Sequence, residues 1–273
     1  MSDTLPPVDL IEPAQLVEQL EAPDLMILDV SNPATYQQLH IPGAIHIAPS
    51  ELISGKPPAT GKLPSLEQLN QLFSRVGYLS DKSIVVYDDE GGGWAGRLIW
   101  TLDLLGHKKL AYLNGGLHAW MSEQLPVENT PVFPAPTETN LKIINPQVRA
   151  SAEEIMVELN SSTVIWDARS PGEYDGSKQF AMRTGHIPGA INFEWTQGMD
   201  TERFYRLRND LANLLNGIGL GKEKNIITHC QTHHRSGFTY LAARILGYKN
   251  IRAYDGSWSE WGNRSDTPIT TAD

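Results

Sequence analysis

An internal repeat in the 273-residue sequence constrains the fold more than any other feature. The block HIPGAI occurs at 40–45 and again at 186–191, an offset of 146 residues (186 − 40). Further along, Trp120 matches Trp261 at an offset of 141 (261 − 120). Ordered matches at nearly constant spacing indicate two copies of one domain of about 120 residues each.

Each copy alternates short β-rich runs with segments whose apolar residues recur every three or four positions. Strands are predicted at Leu25–Val30, Ile84–Tyr87, Thr163–Trp166 and Ile226–His229. Helices are predicted at Ser65–Val76, Gly96–Leu105, Ser151–Leu159 and Gly237–Leu246. Ser151 is followed by Glu154, a pair typical of a capping box. This alternation predicts an α/β fold whose mostly parallel sheets are covered by helices and bind ligands at the carboxyl ends of the strands.

A proline-rich stretch separates the two copies. The five prolines between Gln124 and Gln147 lack backbone donors and disfavour a helix. We therefore predict a first domain at 1–125, an extended linker at 126–147 and a second domain at 148–273. The apolar residues of the linker are expected to lie against both domains; they are Val132, Phe133, Leu141 and Ile143.

The charge balance limits the classes of partner. Lys and Arg number 22 against 32 Asp and Glu, which gives a net charge of -10. Such an acidic chain is not expected to bind nucleic acid or an anionic membrane. An anionic small ligand would need a local positive field that opposes the global one. We expect a monomer that acts on small molecules.

The chain has one cysteine, Cys230, so an intramolecular disulfide is impossible and a cysteine-based zinc site is not expected. The residues Met1 to Leu10 show no basic and apolar pattern of a secretory signal. Together these features favour a reducing, cytoplasmic location. No nucleotide-binding motif and no metal-ligand spacing is present, so no cofactor and no metal is expected.

Cys230 stands directly after a predicted strand, and a predicted helix follows within seven residues. Loop N–H groups that converge ahead of a helix form an anion nest, and the helix dipole adds positive potential. Arg235 adds a fixed cation, and His233 and His234 are expected to add charge below neutral pH. These features lower the pKa of a thiol, so the sequence predicts that Cys230 is a nucleophile rather than a buried apolar residue.

The loop from Cys230 to Arg235, the two HIPGA blocks and the run 254–261 resemble the rhodanese family of sulfurtransferases, in its tandem-domain form. The resemblance implies a five-stranded, mostly parallel sheet flanked by helices in each domain. It also implies that Cys230 takes sulfane sulfur from a donor as a persulfide and passes it to cyanide or another thiophilic acceptor. Thiosulfate is the expected donor. The expected substrate-binding residues are Gln231, Thr232, His233, His234 and Arg235.

Subtracting the offset of 141 from 230 aligns Asp89 with Cys230, and Trp94 then aligns with Arg235. A carboxylate cannot transfer sulfur, so we expect the first domain to be inactive and the active site to lie at the cleft between the domains. A divalent cation held by Asp88, Asp89 and Glu90 is the alternative interpretation of this loop.

Other interpretations remain open at this point. The family's vertebrate-type thiosulfate enzymes carry a Lys and an Arg where this chain has Thr232 and Glu173, so their mode of substrate binding is absent here. Alternatives are a 3-mercaptopyruvate sulfurtransferase, although its Gly-rich loop is absent, and a persulfide carrier that delivers sulfur to a protein partner. A phosphatase is disfavoured because phosphatase loops of this kind have five residues between the cysteine and the arginine, whereas four separate Cys230 from Arg235.

Two histidines recur in the repeated blocks and are expected to be structural. Because His40 and His186 occur identically in both copies, we expect them to hydrogen-bond to Asp29 and Asp167. Trp195 either lines the pocket or is an ordinary core residue.

Overall fold

The computed structural model describes residues 5–271, so residues 1–4 and 272–273 of the two predicted domains lie outside it. The first half contains a parallel sheet of five strands in the order β1-β5-β4-β2-β3. Its strands are β1 Val8–Ile11, β2 Leu25–Asp29, β3 Ile45–His46, β4 Ser83–Tyr87 and β5 Leu110–Leu113. Its α-helices are α1 Pro13–Val17, α2 Pro33–Gln38, α3 Leu66–Arg75, α4 Gly93–Leu104 and α5 Gly116–Ser122, and a 3-10 turn spans Pro49–Leu52.

The second half contains a parallel sheet with four strands in the order β11-β10-β6-β7, and an antiparallel ribbon of β8 and β9. The strands are β6 Val164–Asp167, β7 Ile191–Asn192, β8 Met199–Asp200, β9 Arg206–Leu207, β10 Ile226–His229 and β11 Ile251–Ala253. The helices are α6 Ala152–Glu158, α7 Pro171–Tyr174, α8 Leu211–Gly217, α9 Arg235–Ile245 and α10 Ser257–Trp261. Further 3-10 turns span Pro146–Val148, Trp195–Gly198 and Thr201–Arg203.

The prediction of five strands in each sheet is therefore correct for the first half and wrong for the second. In the first half, β1 pairs with β5 over four residues. In the second half, the equivalent strand is reduced to a single bridge between Arg149 and Ala253. The preceding residues 146–148 form a 3-10 turn that begins at Pro146, which has no N–H to donate to a ladder.

The predicted capping box at the start of α6 is present. The backbone N–H of Glu154 donates to the Ser151 hydroxyl, and the Glu154 carboxylate accepts from the backbone N–H of Ser151. Two orphan donors at the helix start are thus satisfied, which is the physical reason that this pattern marks a helix boundary.

The linker runs extended and lies mainly on the first half. Val132 and Leu141 pack against the first core, and Thr137 donates its backbone N–H to the carbonyl of Ser74. Phe133, which was expected to pack as well, is 85% exposed. An extended segment alternates its side chains between two faces, so Phe133 points to solvent where its neighbour Val132 points inward.

The two halves meet where α4 crosses α9. A Cβ atom on Gly96 would overlap the carbonyl oxygen of Gly237, and a Cβ on Gly237 would lie 2.5 Å from the carbonyl oxygen of Gly93. The two backbones can touch only because the equivalent positions of both copies are glycine. This close crossing places the start of α4 beside the start of α9, and so brings the two strand-to-helix loops together.

Candidate active site

Cys230 lies at the carboxyl end of β10, directly before the loop that leads into α9. Its side chain has no exposed surface. The backbone of Cys230 is held from both sides, because its carbonyl accepts from the N–H of Trp258 at 2.9 Å and its N–H donates to the Ser257 hydroxyl at 3.3 Å. The thiol thus has a fixed position at the strand end, where the sequence predicted a ligand site.

The surroundings favour the thiolate form of Cys230. Burial raises the pKa of a thiol, but the Arg235 guanidinium, the hydroxyl and backbone N–H of Ser236 and, to a smaller extent, His234 outweigh it, so the pKa of Cys230 is lowered. The Ser236 hydroxyl lies 3.4 Å from Sγ. A lowered pKa increases the fraction of the nucleophilic thiolate at neutral pH.

Sequence reasoning missed Ser236, although it stands six residues after Cys230 in the first turn of α9. Among the described residues, it is the side chain that donates a hydrogen bond to Sγ. A hydroxyl in the first turn of a helix that follows a nucleophile loop is a signal that could have found it, because the first-turn N–H groups point back into that loop.

Arg235, the fixed cation that the sequence predicted, is paired with a carboxylate. Its two terminal nitrogens donate to the two carboxylate oxygens of Glu173 at 2.6 and 2.8 Å. The Glu173 side chain is only 6% exposed and also accepts from the Ser170 hydroxyl. Burial opposes the charge of Glu173, but the Arg235 pair lowers the pKa of that carboxyl. The fork geometry of the guanidinium fits this bidentate pair.

His233 is turned away from solvent and is fully buried. Its φ is +56°, and its Nδ1 lies 2.7 Å from the hydroxyl of Ser236. Burial holds the pKa of His233 well below its usual range, with a further contribution from Arg97. The expectation that His233 adds positive charge to the loop is therefore wrong, because a neutral buried imidazole carries none.

His234 faces the first half of the chain. Its Nε2 contacts Oε1 of Glu90, and its ring stacks on Trp94 with the ring centroids 4.4 Å apart. The ring of Trp195 is also close to this imidazole, with the two ring centroids 5.5 Å apart. Trp195 thus belongs to the surroundings of the loop as well as to the second core, against which it packs.

Gln231 and Thr232 contact neighbouring segments of the chain. Gln231 donates through Nε2 to the carbonyl of Phe180 at 3.1 Å. The backbone of Thr232 packs so closely on Gly61 that a Cβ there would overlap its carbonyl. These two contacts therefore hold the loop against its neighbours.

The first half carries an equivalent loop, and the strand register corrects its alignment. Asp29 pairs with Tyr87 in the first sheet as Asp167 pairs with His229 in the second. The next residue along is Asp88 in one half and Cys230 in the other, an offset of 142 (230 − 88). Asp88, and not Asp89, therefore stands at the cysteine position.

The carboxylate of Asp88 shows what this loop geometry can hold. It accepts backbone N–H groups from Glu90, Gly91, Gly92 and Ala95 at 2.8–3.2 Å. Gly91 and Gly92 have φ of +96° and +111°, which turns their N–H groups inward. Burial and the neighbouring charge of Glu90 nevertheless raise the pKa of Asp88 to about 7. The nest of the first half is thus filled by a side chain of its own loop.

This geometry does not support the divalent-cation interpretation of the acidic loop. The carboxylate of Asp88 faces N–H donors, which repel a cation, while Asp89 accepts from the hydroxyl of Thr35. Within residues 5–271, no three His, Cys, Asp or Glu side chains are grouped in a way that could hold a metal ion.

The two repeated histidines have other partners than expected. His40 contacts the carbonyl of Tyr36 through Nδ1 at 2.7 Å, and His186 contacts that of Tyr174 at 2.9 Å. Each imidazole also stacks on the ring of the same tyrosine. Both repeats thus use one His-Tyr unit at the turn, without a bond to the aspartate that ends the preceding strand.

The fold and the site define a class of protein in which two α/β domains occur in tandem and the second holds a buried cysteine between a strand and a helix start. The family model described as Rhodanese-like domain matches residues 12–123 and 151–264. The chain belongs to the rhodanese family. No helix within the described range 5–271 is long and apolar enough to cross a membrane.

Curated relatives match over nearly the full length. The thiosulfate sulfurtransferases of Pseudomonas aeruginosa and Azotobacter vinelandii are each 48% identical over 262 residues, covering 95% of this chain and 96% of theirs. The sulfur carrier protein TtuD of Thermus thermophilus is 30% identical over 278 residues, covering 96% of each chain. Among solved structures, YnjE superposes with a TM-score of 0.83 at 23% identity, covering 97% of this chain and 68% of that one. This last likeness concerns the fold.

Proposed function

We propose that this protein is a thiosulfate sulfurtransferase that carries sulfur as a persulfide on Cys230. The observation that carries the proposal is a single, fully buried cysteine whose pKa is lowered by Arg235 and Ser236 at the end of a parallel strand. Two relatives that are 48% identical and bear the name thiosulfate sulfurtransferase support the same donor.

The proposed cycle has two displacements at sulfur. In the first, the Cys230 thiolate attacks the outer sulfur of thiosulfate, a new S–S bond forms, the S–S bond of thiosulfate breaks, and sulfite leaves with the electron pair. In the second, cyanide attacks the terminal sulfur of the persulfide, thiocyanate leaves, and the thiolate returns. Neither step needs an outside oxidant or reductant, since sulfane sulfur only changes its partner.

The second half, 148–273, is proposed to be the catalytic domain and the first half, 1–125, to be inactive, with 126–147 as the linker. In the first half, Asp88 fills the nest at the cysteine position, and Trp94 stands where the second half has Arg235. A buried carboxylate cannot form a persulfide, and an indole cannot neutralise a dianionic donor.

Recognition of the donor is assigned to Arg235 and the loop backbone, with Thr232 and His234 at its sides. Glu173 uses two of the five N–H donors of Arg235, which leaves three for sulfonate oxygens. Arg235 thus acts both as a brace for the loop and as a contact for the anion. Because Sγ has no exposed surface, side chains over the loop must move to admit the donor.

The test is mass spectrometry of the protein after treatment with thiosulfate. The peptide containing Cys230 should gain the mass of one sulfur, and cyanide should remove it. Cys230→Ser should keep the unfolding midpoint of the wild type and lose thiocyanate formation, because a serine hydroxyl cannot form a persulfide. Thiocyanate formation by this variant near the wild-type rate would end the proposal.

A second candidate is delivery of the persulfide sulfur to a protein partner. The similarity to a protein named as a sulfur carrier supports this acceptor. The loaded protein should then transfer its sulfur to a protein thiol faster than to an equal concentration of a small thiol.

Offering 3-mercaptopyruvate in place of thiosulfate, with release of pyruvate as the readout, tests the alternative donor in the same assay.

A further inference from the structure

In the loop from Cys230 to Arg235, the catalytic loop of the proposed function, one side chain contacts the other half of the molecule and Trp195. The His234 ring stacks on Trp94 at an interplanar angle of 21°, with Trp195 tilted at 60° to it. Its Nε2 contacts the Glu90 carboxylate. The His234 and Glu90 side chains are 23% and 32% exposed, so the pair is partly shielded from water.

Both first-half contacts come from the loop that is equivalent to the catalytic loop. Glu90 lies two residues after Asp88, as Thr232 lies two residues after Cys230, and Trp94 stands at the place of Arg235. The pair also restricts the backbone beneath it. A Cβ atom on Gly93 would lie 2.6 Å from Oε1 of Glu90 and 2.6 Å from Nε2 of His234.

We propose that Glu90 is a positioning residue for sulfur transfer, which it supports from the inactive half by holding the His234 imidazole and thereby the catalytic loop. This proposal rests on the proposed function of Cys230. A carboxylate can only accept, so Glu90 selects the tautomer of His234 that carries a proton on Nε2.

His234 is well placed to transmit this contact to the loop. It is the residue before α9, and its carbonyl accepts the N–H of Gly237, so its side chain fixes the first turn that supplies Arg235 and Ser236. The charge of His234 also contributes to the lowered pKa of Cys230. Within the described residues, the titratable groups that interact with the pair are Asp88, which acts on Glu90, and Cys230 and His233, which act on His234. Arg235, the next residue after His234, is itself paired with Glu173.

The test compares Glu90→Gln with Glu123→Gln. Glu123 also forms an ion pair between the halves, with Arg206, and its side chain is 33% exposed, yet it does not touch the catalytic loop. Two quantities are measured, namely the thiolate absorbance of Cys230 against pH and the rate of sulfur loading from thiosulfate in a single turnover. Because partly exposed pairs are weak, we expect Glu90→Gln to slow loading about two- to fivefold and raise the titration midpoint by about 0.3–0.5 units. Glu123→Gln should change neither.

A double variant separates this role from a merely structural one. In the His234→Gln background, Glu90→Gln should have no further effect on the Cys230 titration, since its partner is gone. If Glu90→Gln shifts the Cys230 titration equally in the His234→Gln background, Glu90 acts through Asp88 and the proposal is overturned. It is also overturned if Glu90→Gln alone leaves the Cys230 titration midpoint at the wild-type value. Glu90→Asp keeps a carboxylate, so its Cys230 titration midpoint should lie between those of the wild type and Glu90→Gln. If wild-type protein takes no sulfur from thiosulfate, the proposed function fails, but the Cys230 titration still reports on Glu90.

Discussion

The Arg235–Glu173 pair allows the stabilising and catalytic roles of one residue to be separated. Arg235→Ala would leave the Glu173 carboxylate, which is 6% exposed, with only its bonds to Ser170. Removing one partner of a buried pair costs about 3–5 kcal/mol, and the Ser170 bonds place this pair at the lower end, about 3 kcal/mol of unfolding free energy. The double variant Arg235→Ala/Glu173→Gln should recover more than half of this loss, because no unpaired charge then remains.

The pH dependence of this loss has a definite sign. The pKa of Glu173 is lowered in the folded state, so the pair stabilises the protein above the unfolded pKa of glutamate, about 4.3, and the stabilisation disappears as the pH falls through the folded value. The difference in unfolding free energy between wild type and Arg235→Ala should therefore shrink below about pH 4. Urea denaturation at pH 7 and pH 3.5 measures it.

Sulfur loading should not recover in the double variant. The Arg235 charge is the largest contribution that lowers the pKa of Cys230, and its free N–H groups are assigned to the donor. We expect Arg235→Ala to slow loading by about 2–4 kcal/mol, or about 30- to 900-fold, with a smaller effect on cyanide attack on the persulfide. Arg235→Lys should recover part of the loss, since an ammonium cannot fork onto two oxygens.

Stopped-flow measurement of the two half-reactions decides between the roles. Equal losses in both half-reactions would refute the contact with the donor and leave Arg235 as a brace alone. A loss of unfolding free energy below 1 kcal/mol that does not change with pH would refute the stabilising role.

Three further perturbations probe the repeat. Asp88→Cys should not create a second sulfur-loading site, because Trp94 replaces the cation there; two sulfurs per chain in the mass spectrum would contradict this. Asp88→Asn should flatten the pH dependence of the unfolding free energy. Because the pKa of the buried Asp88 is raised to about 7, the folded wild type binds a proton more tightly than the unfolded chain does. Relative to the variant, the wild type should therefore lose unfolding free energy in urea titrations as the pH rises from about 4 to about 7. Gly96→Ala should lower the unfolding free energy by about 1–3 kcal/mol or more, because the added methyl group forces α4 away from Gly237. Gly217→Ala is the control, since its Cβ would meet nothing within 4 Å, and in thermal melting it should be neutral or stabilising.

The sequence predicted those features that depend on short stretches of chain. Apolar periodicity located β10 and α9 to within two residues, and the cysteine between them followed directly. The capping pair Ser151 and Glu154 was readable because both partners lie within one helical turn. The repeat extended this reasoning to the whole chain, since a pattern that occurs twice indicates one fold twice.

The alignment of the first-half loop shows where this reasoning ends. A constant offset of 141 selected Asp89. The first-half loop is one residue longer than the second-half loop, and the position of that residue cannot be found from sequence when the two loops share no motif. The pairing of Asp29 with Tyr87 located it, since strand register fixes which residue leaves the sheet first. The missing fifth strand of the second sheet could not be predicted for a similar reason. Whether a strand forms beside β11 depends on pairing between Arg149 and Ala253, which are about 100 residues apart in sequence.

By itself, the sequence determined that two α/β domains occur in tandem and that a lone cysteine stands where a parallel strand meets a helix. Only the tertiary structure decided what surrounds that cysteine. Arg235 and Glu173 are 62 residues apart, and His234 and Glu90 are 144 apart. Such pairs follow from how helices and halves pack, and the close contact of Gly96 with Gly237 sets that packing. The identity of the nucleophile is therefore local information, whereas its electrostatic environment is a property of the assembled fold.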